Sequence, residues 1–163
     1  MGSKAVQVGK ARRPGKAVSV RRKAVVELDD VYWRRLYLEI ANRAAQLIEH
    51  KEVAQGRHRR VFISKDGLTV YKVPYAPSGE DANIYELENQ GDLTAETWLH
   101  EKLTRELGVH VIQAEFVRDI SAKELRRLTK EQRDWAFSLD CFQVGYTADG
   151  RLVAYDWEQK TGC

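Results

Sequence analysis

Residues 61–73, V-F-I-S-K-D-G-L-T-V-Y-K-V, hold two apolar runs, Val61 to Ser64 and Leu68 to Val73, joined through Lys65-Asp66-Gly67. Asp-Gly between such runs is a strong hairpin signal, because glycine takes the positive φ that a tight reversal needs. The arrangement returns near the C-terminus, where Val144 to Tyr146 and Leu152 to Tyr155 flank Asp149-Gly150 and Asp156 stands at the end of the second strand. Two hairpins separated by helical patterns predict an α+β fold, a small antiparallel sheet with packed helices and a C-terminal β-hairpin.

Upstream of the first hairpin, Val53-Ala54 reads as a further strand. Before it, Trp33, Tyr37, Ile40, Ala41, Ala44, Leu47 and Ile48 recur at helical spacing, with Asp29-Asp30 as N-cap. Ala24 to Leu28 reads as a short edge strand. Downstream, Pro74 to Gly79 connects to a helix over Asp81 to Glu88. A second amphipathic helix is predicted over Thr94 to Leu107, on the stripe Trp98, Leu99, Leu103 and Leu107 with Gly108 as its stop. Val109 to Val117 alternates as a half-buried strand does, with His110, Ile112, Ala114 and Phe116 on one face. Ser121 with Glu124, and Thr129 with Gln132, are capping-box pairs that predict helices over Ala122 to Leu128 and Lys130 to Phe137. Trp135 and Phe137 are expected to anchor the second of these. His100 and His110 are expected as packing or surface histidines.

At 163 residues, 43% hydrophobic and 31% charged, the chain suits one domain with a tail. No apolar run approaches the roughly 18 residues of a membrane helix, and no secretory apolar core opens the chain. These features predict a soluble, cytoplasmic protein with no membrane contact. Cys141 and Cys163 lack C-x-x-C spacing and are expected as free thiols, not as a zinc site. Residues 1–26 carry eight bases and no acid, so this tail is +8 and residues 27–163 are −5, against an overall +3. With Gly2, Gly9, Pro14 and Gly15 breaking any pattern, residues 1–26 read as a tail disordered when free and 27–163 as a single α+β domain. Two readings of the tail stand: contact with nucleic-acid phosphates, or a solubilising extension paired with the acidic remainder of the chain.

The central stretch also carries a family resemblance. Val70-Tyr71-Lys72-Val73 resembles the V-A-I-K strand of protein kinases, whose lysine meets the nucleotide phosphates and a glutamate of the following helix. Ala54-Gln55-Gly56-Arg57-His58-Arg59-Arg60-Val61 is similar to the glycine-rich G-x-G-x-x-G-x-V loop only at Gly56 and Val61. In that loop Arg57 and Arg59 offer charge where glycines would allow close backbone approach. Glu86 is the first choice for the lysine's partner and Glu88 the second, since the two lie on nearly opposite helix faces.

Tyr155-Asp156-Trp157-Glu158 resembles the I-D-W-E of aminoglycoside phosphotransferases, which makes Asp156 the expected magnesium ligand. Thirteen residues before it stands Gln143, where such proteins place an asparagine ligand, and five earlier Ser138 stands where the catalytic aspartate belongs. Asp140 serves as base only if that loop is shortened. With seven residues after Asp156, no acceptor-binding platform is expected.

The resemblance covers about Val53 to Glu158 and extends to compact kinase-like accessory proteins of bacteriophages. It implies a sheet like a truncated kinase N-lobe. The function it implies is that of a pseudokinase-like protein binding ATP with Mg²⁺ through Gly56, Lys72, Glu86, Gln143 and Asp156, and acting on a protein or nucleic-acid partner in the cytoplasm of a host cell. The alternatives are a nucleic-acid or host-protein binding regulator that works through the basic tail, and an active phosphotransferase using Asp140.

Overall fold

A computed structural model describes residues 17–139 and 143–155, with side chains from Asp30 onward. The first hairpin forms as its sequence predicts. Strands β2 (Arg59–Ser64) and β3 (Thr69–Pro74) pair antiparallel with Val61 opposite Lys72 and Phe62 opposite Tyr71. Gly67 closes the turn at φ 74°, in the left-handed region that disfavours a Cβ. Asp66 accepts from the Ser64 hydroxyl at 2.5 Å and from the Leu68 amide at 2.9 Å, fixing the turn from within.

Around this hairpin β1 (His50–Gln55), β5 (Ile112–Glu115) and β4 (Thr97–Leu99) complete an antiparallel sheet of order β1-β2-β3-β5-β4. A second sheet, of order β6-β7-β8, joins β6 (Arg118–Asp119) to the C-terminal hairpin of β7 (Val144–Tyr146) and β8 (Leu152–Ala154). Its turn repeats the first one's chemistry: Gly150 has φ 86°, the Thr147 hydroxyl donates to Asp149, and the Arg151 amide donates back to Thr147 Oγ1 at 3.0 Å. The helices are α1 (Ala17–Leu47), α2 (Pro77–Glu88), α3 (Glu101–Leu107), α4 (Ala122–Arg127) and α5 (Lys130–Ser138), so the fold is α+β. Both predicted capping boxes are present at α4 and α5.

The chain divides into two compact units, Met1–Tyr32 and Trp33–Cys163, and α1 runs through the division. This helix starts at Ala17, not at Asp29-Asp30, so the tail boundary expected after residue 26 falls inside it. Ala24 to Leu28, expected as an edge strand, is helical as part of the same element. Among the described residues no helix is long and apolar enough to cross a membrane.

Within the second unit the sheet buries both faces. Phe62 and Val73 on one face pack with Tyr37 and Ala44 of α1, Ile48 just after it, Leu103 and Leu107 of α3, and Val109 and Val111. With buried Ala41, the contribution of α1 and the residue after it, Tyr37, Ala41, Ala44 and Ile48, recurs every three or four residues, as an amphipathic helix requires. Each large side chain fully buried here stabilises the fold by about 1.5–3 kcal/mol. The opposite face presents Val70 and Lys72 of β3 with Ile112 and Ala114 of β5, all buried, and α2 covers β3 there.

Two expectations fail on non-local contacts. Thr97 to Leu99, placed by periodicity in a helix from Thr94, instead pair with Ala114, Gln113 and Ile112 as the edge strand β4. The helix begins only after His100, whose ring accepts the Leu103 amide at 3.3 Å as an N-cap. Phe137, expected as an anchor of α5, is 66% exposed, while Ala136 beside it is fully buried.

Candidate functional site

The buried stripe of α2 is Gly79, Ala82, Asn83 and Glu86, spaced i, i+3, i+4 and i+7. Two of these four are polar, and they meet two cations from the sheet. Lys72 Nζ donates to Glu86 Oε1 at 3.0 Å and to Oε2 at 2.9 Å. Arg59 Nη1 donates to Glu86 Oε1 at 2.6 Å and to Asn83 Oδ1 at 3.2 Å. Asn83 in turn donates to the carbonyls of Lys72 at 2.9 Å and His110 at 2.6 Å, tying α2 to β3 and to the chain entering β5. Exposure is 3% for Arg59, 4% for Lys72, 2% for Glu86 and zero for Asn83, so the network lies out of water.

Burial is the strongest single influence on Glu86 and pushes its carboxyl up. The charges of Lys72 and Arg59 and their hydrogen bonds together outweigh it and hold the carboxyl below the usual carboxylate range. The glutamate is therefore the charged centre of the cluster.

The start of α2 is built around the β1–β2 turn. A Cβ on Gly79 would stand 2.2 Å from the His58 carbonyl oxygen, so the helix approaches this turn as closely as only glycine permits. The Tyr75 amide donates to that same carbonyl at 2.8 Å, and Ser78 Oγ and His58 Nδ1 lie 2.6 Å apart. Next to Gly79 in the same first turn of α2, Glu80 accepts the His110 amide at 2.9 Å and pairs with its ring Nδ1.

Of the residues singled out from sequence, Lys72 and Glu86 come together, and Glu88 is exposed. Gly56 lies in the β1–β2 turn, exposed, its amide donating to the Arg59 carbonyl at 2.9 Å. Gln143 is half-buried just before β7, and its carbonyl accepts the Tyr155 amide at 3.0 Å. Asp140 and Asp156 lie outside the described residues, as do Cys141 and Cys163. No group of three or more His, Cys, Asp or Glu among the described residues is placed to hold a metal ion.

Arg59 is the member that sequence reading misplaces. Read as loop charge, it is instead the first residue of β2, paired with Pro74 and pointing to the same face as Lys72. The signal was available: a hairpin register with Val61 opposite Lys72 puts Arg59 on that face, two residues along. Asn83 carried a signal too, one turn before Glu86 on the same helix face.

These features define a buried strand-to-helix ion cluster in an α+β domain. Compared with family models, with curated proteins and with solved structures, the chain finds no match.

Proposed function

We propose that this chain is a kinase-like binding protein of the pseudokinase type, which takes a nucleotide with Mg²⁺ beside Lys72 and acts through a macromolecular partner. One observation carries the reading: a lysine on the third strand and a glutamate on the next helix form a close ion pair. Kinases depend on that pair, on those elements, to position nucleotide phosphates. Gln143 and Asp156 are the proposed metal ligands and Gly56 the residual glycine of the phosphate loop. Catalysis is not part of the proposal, since Ser138 replaces the expected aspartate and a single glycine remains in the loop; activity through Asp140 is the weaker variant. The proposed setting is the cytoplasm, a host's if the gene is a bacteriophage's.

Thermal unfolding with and without Mg-ATP tests this. Saturation near 100 Kd raises apparent stability by about 2.7 kcal/mol. An unchanged Tm at millimolar Mg-ATP, or an equal shift in Lys72→Met, refutes the nucleotide reading.

A second reading draws on the charge of residues 1–26: a regulator that grips nucleic acid or an acidic protein through this stretch, whose Arg21, Arg22 and Lys23 lie on α1. Nucleic-acid affinity then falls steeply with salt and disappears when the eight bases become glutamine. Binding that ignores both changes rejects it.

A further inference from the structure

The sheet face that carries Phe62 is only partly roofed. Phe62 and Val73 pack beneath α1 and α3 together with Val111. The same face continues across β3, β5 and β4, where Tyr71 lies opposite Gln113 and Gln113 opposite Trp98. Residues directly opposite one another in antiparallel strands share a face, so Tyr71, Gln113 and Trp98 form one row. Tyr71 and Gln113 are half-buried, and Trp98 is 38% exposed. The row is held from within: Trp98 Nε1 donates to Gln113 Oε1 at 3.1 Å, and the His100 ring, which accepts the Leu103 amide, stands 5.7 Å from the Tyr71 ring. Beside Tyr71 and His100 opens a cavity of about 300 Å³, with Leu47 and Lys102 in its wall.

Two rings flanking an amide suit a planar partner with polar edges, and the surroundings select nucleic-acid bases. The apolar surface is broken by Gln113 and bordered by Glu115 on the same face and by exposed Lys102, so it lacks the continuous apolar centre of a protein interface. Neighbouring strands lie about 4.8 Å apart, which puts Tyr71 and Trp98 about 10 Å apart. Duplex bases follow one another every 3.4 Å or so along a strand and show only their edges, so rings set this way are reached by bases that have left the stack. The chain also carries the charge that draws phosphates: residues 1–26 are +8 and residues 27–163 are −5, so the face offers stacking and the basic stretch offers attraction.

We propose that Tyr71, Gln113 and Trp98 form a stacking platform for the bases of single-stranded nucleic acid. The inference rests on the second reading above, in which residues 1–26 grip nucleic acid, and it adds a site on the folded unit and a class of strand. Phosphates are met by the basic stretch whatever the sequence, and bases by the rings. Every base has a π-face, so the platform favours single strands over duplex with little preference among sequences.

The test uses the full chain and a labelled oligothymidylate of about ten nucleotides, read by fluorescence anisotropy over a series of salt concentrations. Trp98→Ala is expected to bind the single strand about tenfold or more weakly, with an unchanged salt slope because no phosphate contact is lost. Trp98→Phe is expected to retain most of the affinity. A duplex of the same length is expected to bind wild type and Trp98→Ala alike. In the wild type, ultraviolet crosslinking of the oligothymidylate is expected to give adducts on peptides containing Tyr71 or Trp98, a readout that needs no variant.

Equal single-strand affinity in Trp98→Ala, a Trp98→Phe variant as weak as Trp98→Ala, an equal loss on duplex, or adducts confined to residues 1–26 overturns the platform and leaves the basic stretch as the sole contact. A wild type that binds neither single strand nor duplex removes the nucleic-acid reading and the platform with it. Binding of polyglutamate in that case makes an acidic protein the partner.

Discussion

Glu86→Gln removes a buried negative charge that Lys72 and Arg59 share, with almost no change of shape. Glutamine keeps one acceptor oxygen but turns an amide toward cations that are 3% and 4% exposed. Removing one partner of a buried ion pair typically costs about 3–5 kcal/mol. That is a large share of the roughly 5–15 kcal/mol that holds a domain together. Urea unfolding at pH 7 should therefore show a lower midpoint with an unchanged slope.

The pH dependence makes the experiment sharper. Glu86 is held below its ordinary pKa in the folded protein, so its contribution is complete above the unfolded value and is lost as pH falls through the folded one. The difference between wild type and Glu86→Gln should thus be largest near neutrality and shrink in acid. Other acid-sensitive carboxylates, such as Glu124, are present in both proteins and drop out of the difference. A cost under about 1 kcal/mol at pH 7, or a difference that stays constant into acid, refutes the claim that this carboxylate anchors α2.

Gly79→Ala should destabilise by about 1–3 kcal/mol through overpacking, since its Cβ would fall 2.2 Å from the His58 carbonyl; Gly91→Ala, with open space around it, is the control in the same melts. Glu124 should titrate at about 2 by NMR, because Arg118 hydrogen-bonds it first and foremost and Ser121 adds its amide and hydroxyl; Arg118→Gln should move that titration back toward ordinary carboxylate values. A Glu124 that titrates normally in the wild type would show that the Arg118 fork does not persist in solution.

The readings that hold are those whose cause lies within a few residues. Asp66-Gly67 and Asp149-Gly150 turn the chain because glycine tolerates φ of 74° and 86° and a neighbouring Ser64 or Thr147 hydroxyl binds the aspartate. Ser121 and Thr129 start helices because their hydroxyls accept the amides of Glu124 and Gln132. Glu86 as the partner of Lys72 was implied by the kinase resemblance; helix geometry adds only that Glu86 and Glu88 cannot both turn inward, and the contact selects Glu86.

Other features were decided by distant contacts. Thr97 to Leu99 carry a helical spacing, yet pairing with Ile112 to Ala114 on the free edge of β5 supplies their backbone hydrogen bonds and makes the segment a strand. Phe137 is exposed and Ala136 buried because the docking of α5, not its composition, selects which face turns inward.

By itself, then, the sequence determined the α+β class, both hairpins and the two capped helices, since each follows from local stereochemistry or pattern, while the lysine–glutamate pairing was what the family resemblance implied. Only the tertiary structure decided that Arg59 joins that pair: the hairpin register sets its face, but its contact with Glu86 depends on α2 packing there, and a buried charge is stable only beside a partner.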